Sequence, residues 1–110
     1  MNGRRPGSRS DPFQALADPT RRAILELLRR RRVCAAGVIA AHFPKISRPA
    51  VSRHLRVLRV AKLVTAKGVG REHCYRLKVA TLARVQRDWF ARFTPLWEAS
   101  LAALKKQVES

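Results

Sequence analysis

Acidic side chains are scarce in this chain, with 7 Asp and Glu against 24 Lys and Arg in 110 residues. The few carboxylates do not cluster. Asp11 and Asp18 each precede a proline and read as helix caps, while Glu26, Asp88, Glu98 and Glu109 are scattered along helical stretches. No pair is placed for general acid and base work, and no enzyme is expected. Cysteine is scarcer still. Cys34 and Cys74 show no C-x-C or C-x-x-C spacing, which excludes a disulfide scaffold and a sulfur-rich zinc site. Cys34, close to Arg31 and Arg32, could have an activated thiol, but a small apolar filler is the simpler expectation. The three histidines, His42, His54 and His73, fall in separate segments without ligand spacing, so neither metal nor cofactor is expected. No apolar run approaches the roughly 18 to 20 residues that span a bilayer. The first ten residues, MNGRRPGSRS, are basic and lack the apolar stretch of a signal peptide, so a cytoplasmic location is expected.

A formal charge of +17 and a hydrophobic content of 46% remain. The hydrophobic content is that of a chain that folds, and the length suits one domain. The charge concerns partners. Such an excess of Lys and Arg pairs with phosphates, so nucleic acid is the first candidate and an anionic membrane surface the second. Its distribution is uneven: residues 1–80 hold 19 basic and 4 acidic side chains, and residues 81–110 hold 5 and 3. The binding face belongs to the first part.

Asp11-Pro12 opens a short helix through Phe13 and Leu16, and Asp18-Pro19 opens a second whose Ile24, Leu25, Leu27 and Leu28 recur at helical spacing. Arg29 to Arg32 close it, cations suiting a helix C-terminus. A third helix is expected over about Ala35 to Phe43, with Ile39, Ala40 and Phe43 inward, although Gly37 weakens it. In Lys45 to Ala61 (KISRPAVSRHLRVLRVA) Ser47 is a fitting cap, Pro49 is tolerated in the first turn, and Val51, Leu55 and Leu58 form one buried stripe. Arg53 and Arg56 lie opposite, flanked by Ser52 and Arg59. A helix apolar behind and Arg-rich in front can enter a major groove. His54 is expected to be packed or hydrogen-bonded. Leu63 to Lys67 and Arg71 to Leu77 then read as a hairpin turning at Gly68-Val69-Gly70, with Lys67 and Arg71 at its tip and His73, Tyr75 and Leu77 on one face of the second strand.

The phrases ALADPTRRAILELL at 15–28, SRPAVSRHLRVL at 47–58 and GREHCYRL at 70–77 closely resemble the ArsR-type winged helix-turn-helix repressors, within them the SdpR-like branch without a metal site. The resemblance covers nearly all of residues 11–105. It implies a mainly α fold with a small β-hairpin wing, a homodimer, and a helix-turn-helix made by the third helix and the recognition helix. Three departures stand out. Ala35 and Gly37 occupy the place of the C-x-C that metal-sensing members carry. Lys62 stands where the family has Gly after the recognition helix, and a retained left-handed turn would strain it by roughly 1 kcal/mol. Lys45 is an added residue in the turn before Ser47.

The expected organisation is a disordered basic arm at 1–10, a winged helix-turn-helix at 11–78, and a dimerisation helix or pair of helices at 79–110, all one compact domain. Leu82, Val85, Trp89, Phe93, Leu96, Leu101, Leu104 and Val108 recur at three- and four-residue steps, with Phe90 and Trp97 widening the stripe. This exceeds what packing on a small domain needs and suggests an interface core. Phe13, Leu16, Leu82, Val85, Trp89, Phe93, Trp97 and Leu101 are the expected dimer contacts. Pro95, with Thr94 as cap, should kink or split the segment. Arg48, Ser52 and Arg53 are the expected base-reading residues, and Ser47, Arg56, Lys67 and Arg71 the phosphate contacts. The expected function is a sequence-specific repressor or autorepressor that binds a palindromic operator in double-stranded DNA as a homodimer, with the effector unknown. The alternative is a non-specific architectural protein driven by charge alone. A membrane-surface helix fits poorly, because basic residues and aromatic stripe lie in different segments.

Overall fold

The computed structural model of the chain describes residues 11–109, and the expected arm at 1–10 lies outside them. The element order is α1 (Pro12–Leu16), α2 (Pro19–Arg31), β1 (Cys34–Ala35), α3 (Ala36–Ala41), α4 (Arg48–Val60), β2 (Val64–Val69), β3 (Glu72–Leu77), α5 (Val79–Phe90), a 3-10 turn (Ala91–Phe93) and α6 (Thr94–Glu109). Two compact units divide between Val79 and Ala80.

Local chemistry explains most element boundaries in the first unit. Asp11 accepts the Phe13 N–H at 2.9 Å and Asp18 the Arg21 N–H at 3.0 Å, each with proline in the first turn, so both short-spaced caps form. A helix as short as α1 leaves its last carbonyls unpaired, and two arginines of α2 supply the missing donors. Arg21 gives Nε–H to the Ala15 carbonyl at 2.7 Å and Nη2–H to that of Gln14, while Arg22 gives Nη1–H to Leu16 at 2.7 Å. The other end of α2 is abrupt. Arg32 adopts φ 69° and ψ −53°, and the Val33 N–H reaches the Arg31 carbonyl at 2.8 Å, a γ-turn of the strained, φ-positive kind.

That turn delivers the chain into a strand the sequence does not announce. Cys34–Ala35 pairs antiparallel with β3, giving a three-stranded sheet in the order β1-β3-β2, and it takes the place of the expected start of the third helix. α3 is correspondingly short. After it, the Ile46 N–H donates to the Phe43 carbonyl at 3.2 Å, closing a β-turn with Pro44 and Lys45 at its centre. Proline is favoured at the first of these positions, and the turn absorbs Lys45.

The hairpin also differs from expectation. Its ladder runs on through Gly68↔His73 and Val69↔Glu72, so the turn is the pair Gly70 and Arg71, with only Gly70 at positive φ (63°). Gly68 and Val69 belong to the strand. Ile24, Leu27 and Leu28 of α2, Ile39 of α3, Val51, Leu55 and Leu58 of α4, and Leu63 and Val64 are buried and form the core. Phe43 and Ala40 are only half-buried.

In the second unit the segment does split, but the break falls at Ala91–Phe93, ahead of Pro95. Thr94 has helical backbone angles (φ −53°, ψ −47°) and opens α6 itself, in place of capping it from outside, and Pro95 occupies the first turn, where its missing N–H is not needed.

The end of α4 generates a stability prediction. Lys62 has φ 63°, its N–H bonds the Arg59 carbonyl at 3.0 Å and the Leu63 N–H bonds that of Leu58 at 3.0 Å, the double bond pattern of a Schellman cap. Glycine bears that conformation without strain. Lys62→Gly should raise unfolding stability by about 1 kcal/mol, measured as a shift of the urea midpoint.

A second prediction concerns acid. Burial tends to raise the Asp18 carboxyl, but the Arg21 N–H bond and the neighbouring His54 and Arg21 charges outweigh it and hold the group below its usual value of 3.8. Its folded-state value is depressed, so the stabilisation is present above the unfolded value and lost as pH falls through the folded one. Asp18→Ala should cost about 1 kcal/mol near neutral pH through loss of the cap. It should also flatten the loss of stability seen on acidification, as followed by thermal melts across pH.

Candidate nucleic-acid interface

α4 has its rotation set by three side chains. Val51, Leu55 and Leu58 are buried, which turns Pro49, Ser52, Arg53, Arg56 and Arg59 outward to solvent. Ser47 caps the helix, its Oγ accepting the Ala50 N–H at 3.2 Å, and leaves its own hydroxyl hydrogen to donate elsewhere. Arg48, the first helical residue, is exposed. Behind the helix, half-buried His54 places Nδ1 3.3 Å from Arg21 Nη1 and 3.9 Å from the Asp18 carboxylate. Since Arg21 also grips the carbonyls of α1, one guanidinium ties α1, α2 and α4 together. His54 is the packed, hydrogen-bonded residue expected. The role of Arg21 is not foreseeable in the same way, because a sequence does not say which distant carbonyls an arginine will meet.

The wing follows from the strand register. Directly opposed residues share a face, and Lys67↔Cys74, Thr65↔Arg76 and Val69↔Glu72 put Lys67, Glu72 and Arg76 on one side of the sheet. The other side carries Val64, Tyr75 and Leu77, with Cys34 facing Tyr75 from β1. Cys34 is 3% exposed and Cys74 lies on the opposite face, which leaves Cys34 as an apolar filler. Arg71 is exposed in the turn, and β2 packs against α4, so hairpin and helix belong to one packed unit.

The structure therefore brings together, in that unit, Ser47, Arg48, Ser52, Arg53 and Arg56 on or beside one helix, and Lys67 and Arg71 on the hairpin. The residues expected at a dimer contact lie partly in α1 and partly in the second unit. Phe13 of α1 is exposed and Leu16 half-buried. In the second unit Leu82 and Val85 are half-buried, while Trp89, Trp97 and Leu101 keep 37%, 42% and 61% of their surface exposed and Phe93 is exposed as well. The Trp89 ring meets Phe90 edge-on at 5.0 Å and Phe93 at 4.9 Å, an aromatic cluster on a helix surface. Among the described residues no group of three or more His, Cys, Asp and Glu could hold a metal ion, and no helix is long and apolar enough to cross a membrane.

Residues 16–65 match the family profile described as Helix-turn-helix domain. The HTH-type transcriptional regulator Rv2034 of Mycobacterium tuberculosis is 41% identical over 98 residues, covering 89% of this chain and 86% of the relative. The transcriptional repressor SdpR of Bacillus subtilis is 38% identical over 81 residues, covering 74% of this chain and 87% of its own length. Among solved structures, an ArsR-like transcriptional regulator from Rhodococcus sp. RHA1 superposes with a TM-score of 0.69 at 37% identity, covering 93% of each chain. With this identity and coverage, and the same sequence of helices and wing, the chain belongs to the ArsR family of winged helix-turn-helix transcriptional regulators.

Proposed function

We propose that the chain is a homodimeric repressor that binds a palindromic operator in double-stranded DNA, working in the cytoplasm. The observation that carries this reading is α4, whose buried stripe leaves one face of Ser and Arg side chains open to solvent on a helix of major-groove width. Arg48, Ser52 and Arg53 read bases, arginine being able to hold guanine O6 and N7 with two hydrogen bonds. Ser47, Arg56, Lys67 and Arg71 contact phosphates, which position the protein without specifying sequence. The exposed aromatic stripe of α5 and α6, with Phe13 and Leu16 of α1 as further apolar contacts, supplies the dimer surface. A two-fold dimer sets its two recognition helices in successive major grooves, so half-sites lie about 10 bp apart or a small multiple of that. The name of the Bacillus subtilis relative, a transcriptional repressor, supports repression. Control by protein concentration, as in autorepression, requires no effector.

The architectural alternative differs in where information lies, and substitution separates the two. With a duplex that the unmodified protein selects from a random-sequence pool, Arg53→Ala should abolish most of the preference for that duplex over random DNA, a loss of roughly 1 to 3 kcal/mol per half-site. Arg71→Ala should weaken both equally and make the salt dependence shallower by about 1 for each phosphate no longer neutralised. An equal loss on every sequence from Arg53→Ala favours the architectural reading.

The dimer is tested in solution. Sedimentation at micromolar concentration should show twice the chain mass, and replacing Trp89 and Phe93 together by Glu should abolish it. A folded monomer in the unmodified protein contradicts the reading.

A further inference from the structure

We propose that Glu72, on the wing, is a specificity-determining residue: its charge beside Arg48 weakens the meeting of that guanidinium with DNA phosphates and leaves its hydrogen bonds to a cognate base undiminished. The inference rests on Arg48 being a DNA-reading residue.

The geometry begins at Gly37. A Cβ built on this residue would lie 3.2 Å from Glu72 Oε1 and 3.5 Å from Arg48 Nη2. A carboxylate from β3 and a guanidinium from the first turn of α4 thus converge on one bare patch of α3, under about 7 Å from each other, within the screening length of physiological salt. They do not close into a direct ion pair. The strand register explains the approach. Ala35 opposes Cys74, so continuing the ladder would set Glu72 opposite Gly37, where the chain has just left β1 for α3. Glu72 therefore reaches over the opening turn of α3.

Gly37 has no other evident purpose. Its φ is not positive, so its backbone does not require glycine, and glycine inside a helix costs about 1 kcal/mol relative to alanine. What it provides is room. A methyl group would crowd the Glu72 carboxylate, tighter than ordinary contact.

Charge gives the arrangement its consequence. Glu72 is the sole acidic residue between positions 27 and 87, a stretch holding 16 Lys and Arg. A carboxylate there works against binding to any phosphate backbone, so its presence on the charged face of the wing opposes the overall attraction. It acts selectively through Arg48. On random DNA Arg48 has only phosphates to meet, and the nearby carboxylate repels them and cancels part of that attraction, whereas on a cognate duplex two hydrogen bonds to guanine add to it. Penalising the wrong complex more than the right one is how specificity is gained without new attraction.

The test measures affinity for two probes, the duplex selected by the unmodified protein and a random-sequence duplex pool, and takes their ratio. Glu72→Gln should lower the ratio by about threefold or more, chiefly by tightening random DNA. In an Arg48→Ala background the same change should leave the ratio unmoved, because the residue through which Glu72 acts is gone. Gly37→Ala should lower the ratio in the same direction while leaving the melting temperature equal or higher, since alanine favours the helix. An equal gain on both probes from Glu72→Gln, or a loss of ratio that persists without Arg48, overturns the proposal and leaves Glu72 a general electrostatic brake. Failure of the unmodified protein to select any consensus is a distinct outcome: it removes the DNA-reading role itself, and this proposal with it.

Discussion

A helix that offers one face to a partner must be held at one rotation about its own axis, and in this chain burial holds α4. Val51, Leu55 and Leu58 sit in the core with Ile24, Leu27, Leu28, Ile39 and Leu63, each buried aliphatic side chain contributing roughly 1.5 to 3 kcal/mol relative to exposure. Turning α4 by one residue would expose a leucine and bury an arginine without a partner, which is far more costly than any contact with DNA could offset. The other features are arranged around that constraint. Ser47 fixes where the helix starts, the Schellman cap at Lys62 fixes where it stops, and Leu63 and Val64 then anchor the strand that leads to the wing. Arg21, bonded to His54 and to two carbonyls of α1, braces the side that faces away from solvent.

The residues legible in the sequence are those whose signal is local. Paired Asp-Pro caps, a 3.6-residue period and a Ser cap define α1, α2 and α4 without reference to anything distant, and the solvent face of α4 follows from its buried one. Lys62 at positive φ is also legible, through its contrast with the glycine that the family resemblance implies at that position. What is not legible depends on partners remote in sequence. β1 is two residues long and exists only because β3 pairs with it. The hairpin turn sits one step further on, at Gly70, because Gly68 needs no positive φ and can pair with His73. Pro95 does mark a disruption, but a proline tolerated in a first turn lets the break fall in the residues before it. Gly37 reads as a weak point of a helix, and the two side chains that approach it arrive from other elements, which the local sequence does not announce.

Charge is the second organising quantity. A surplus of +17 attracts every polyanion, and unspecific attraction is a hazard for a protein that must find one site among many. The chain counters it by confinement. Most of the surplus lies in the unit that holds α4 and the wing, the aromatic stripe of α5 and α6 is kept near neutral, and the carboxylate of Glu72 and the guanidinium of Arg48 both lie beside Gly37.

Methylation interference shows whether α4 enters the major groove. Dimethyl sulfate modifies guanine at N7 in the major groove and adenine at N3 in the minor groove, so one treatment of the selected duplex interrogates both. With α4 in the major groove, N7 methylation should block binding at guanines in two symmetric half-sites whose centres lie about 10 bp apart, or a small multiple of that, while N3 methylation there should have little effect. Interference confined to adenine N3, or absent from both grooves, would contradict it.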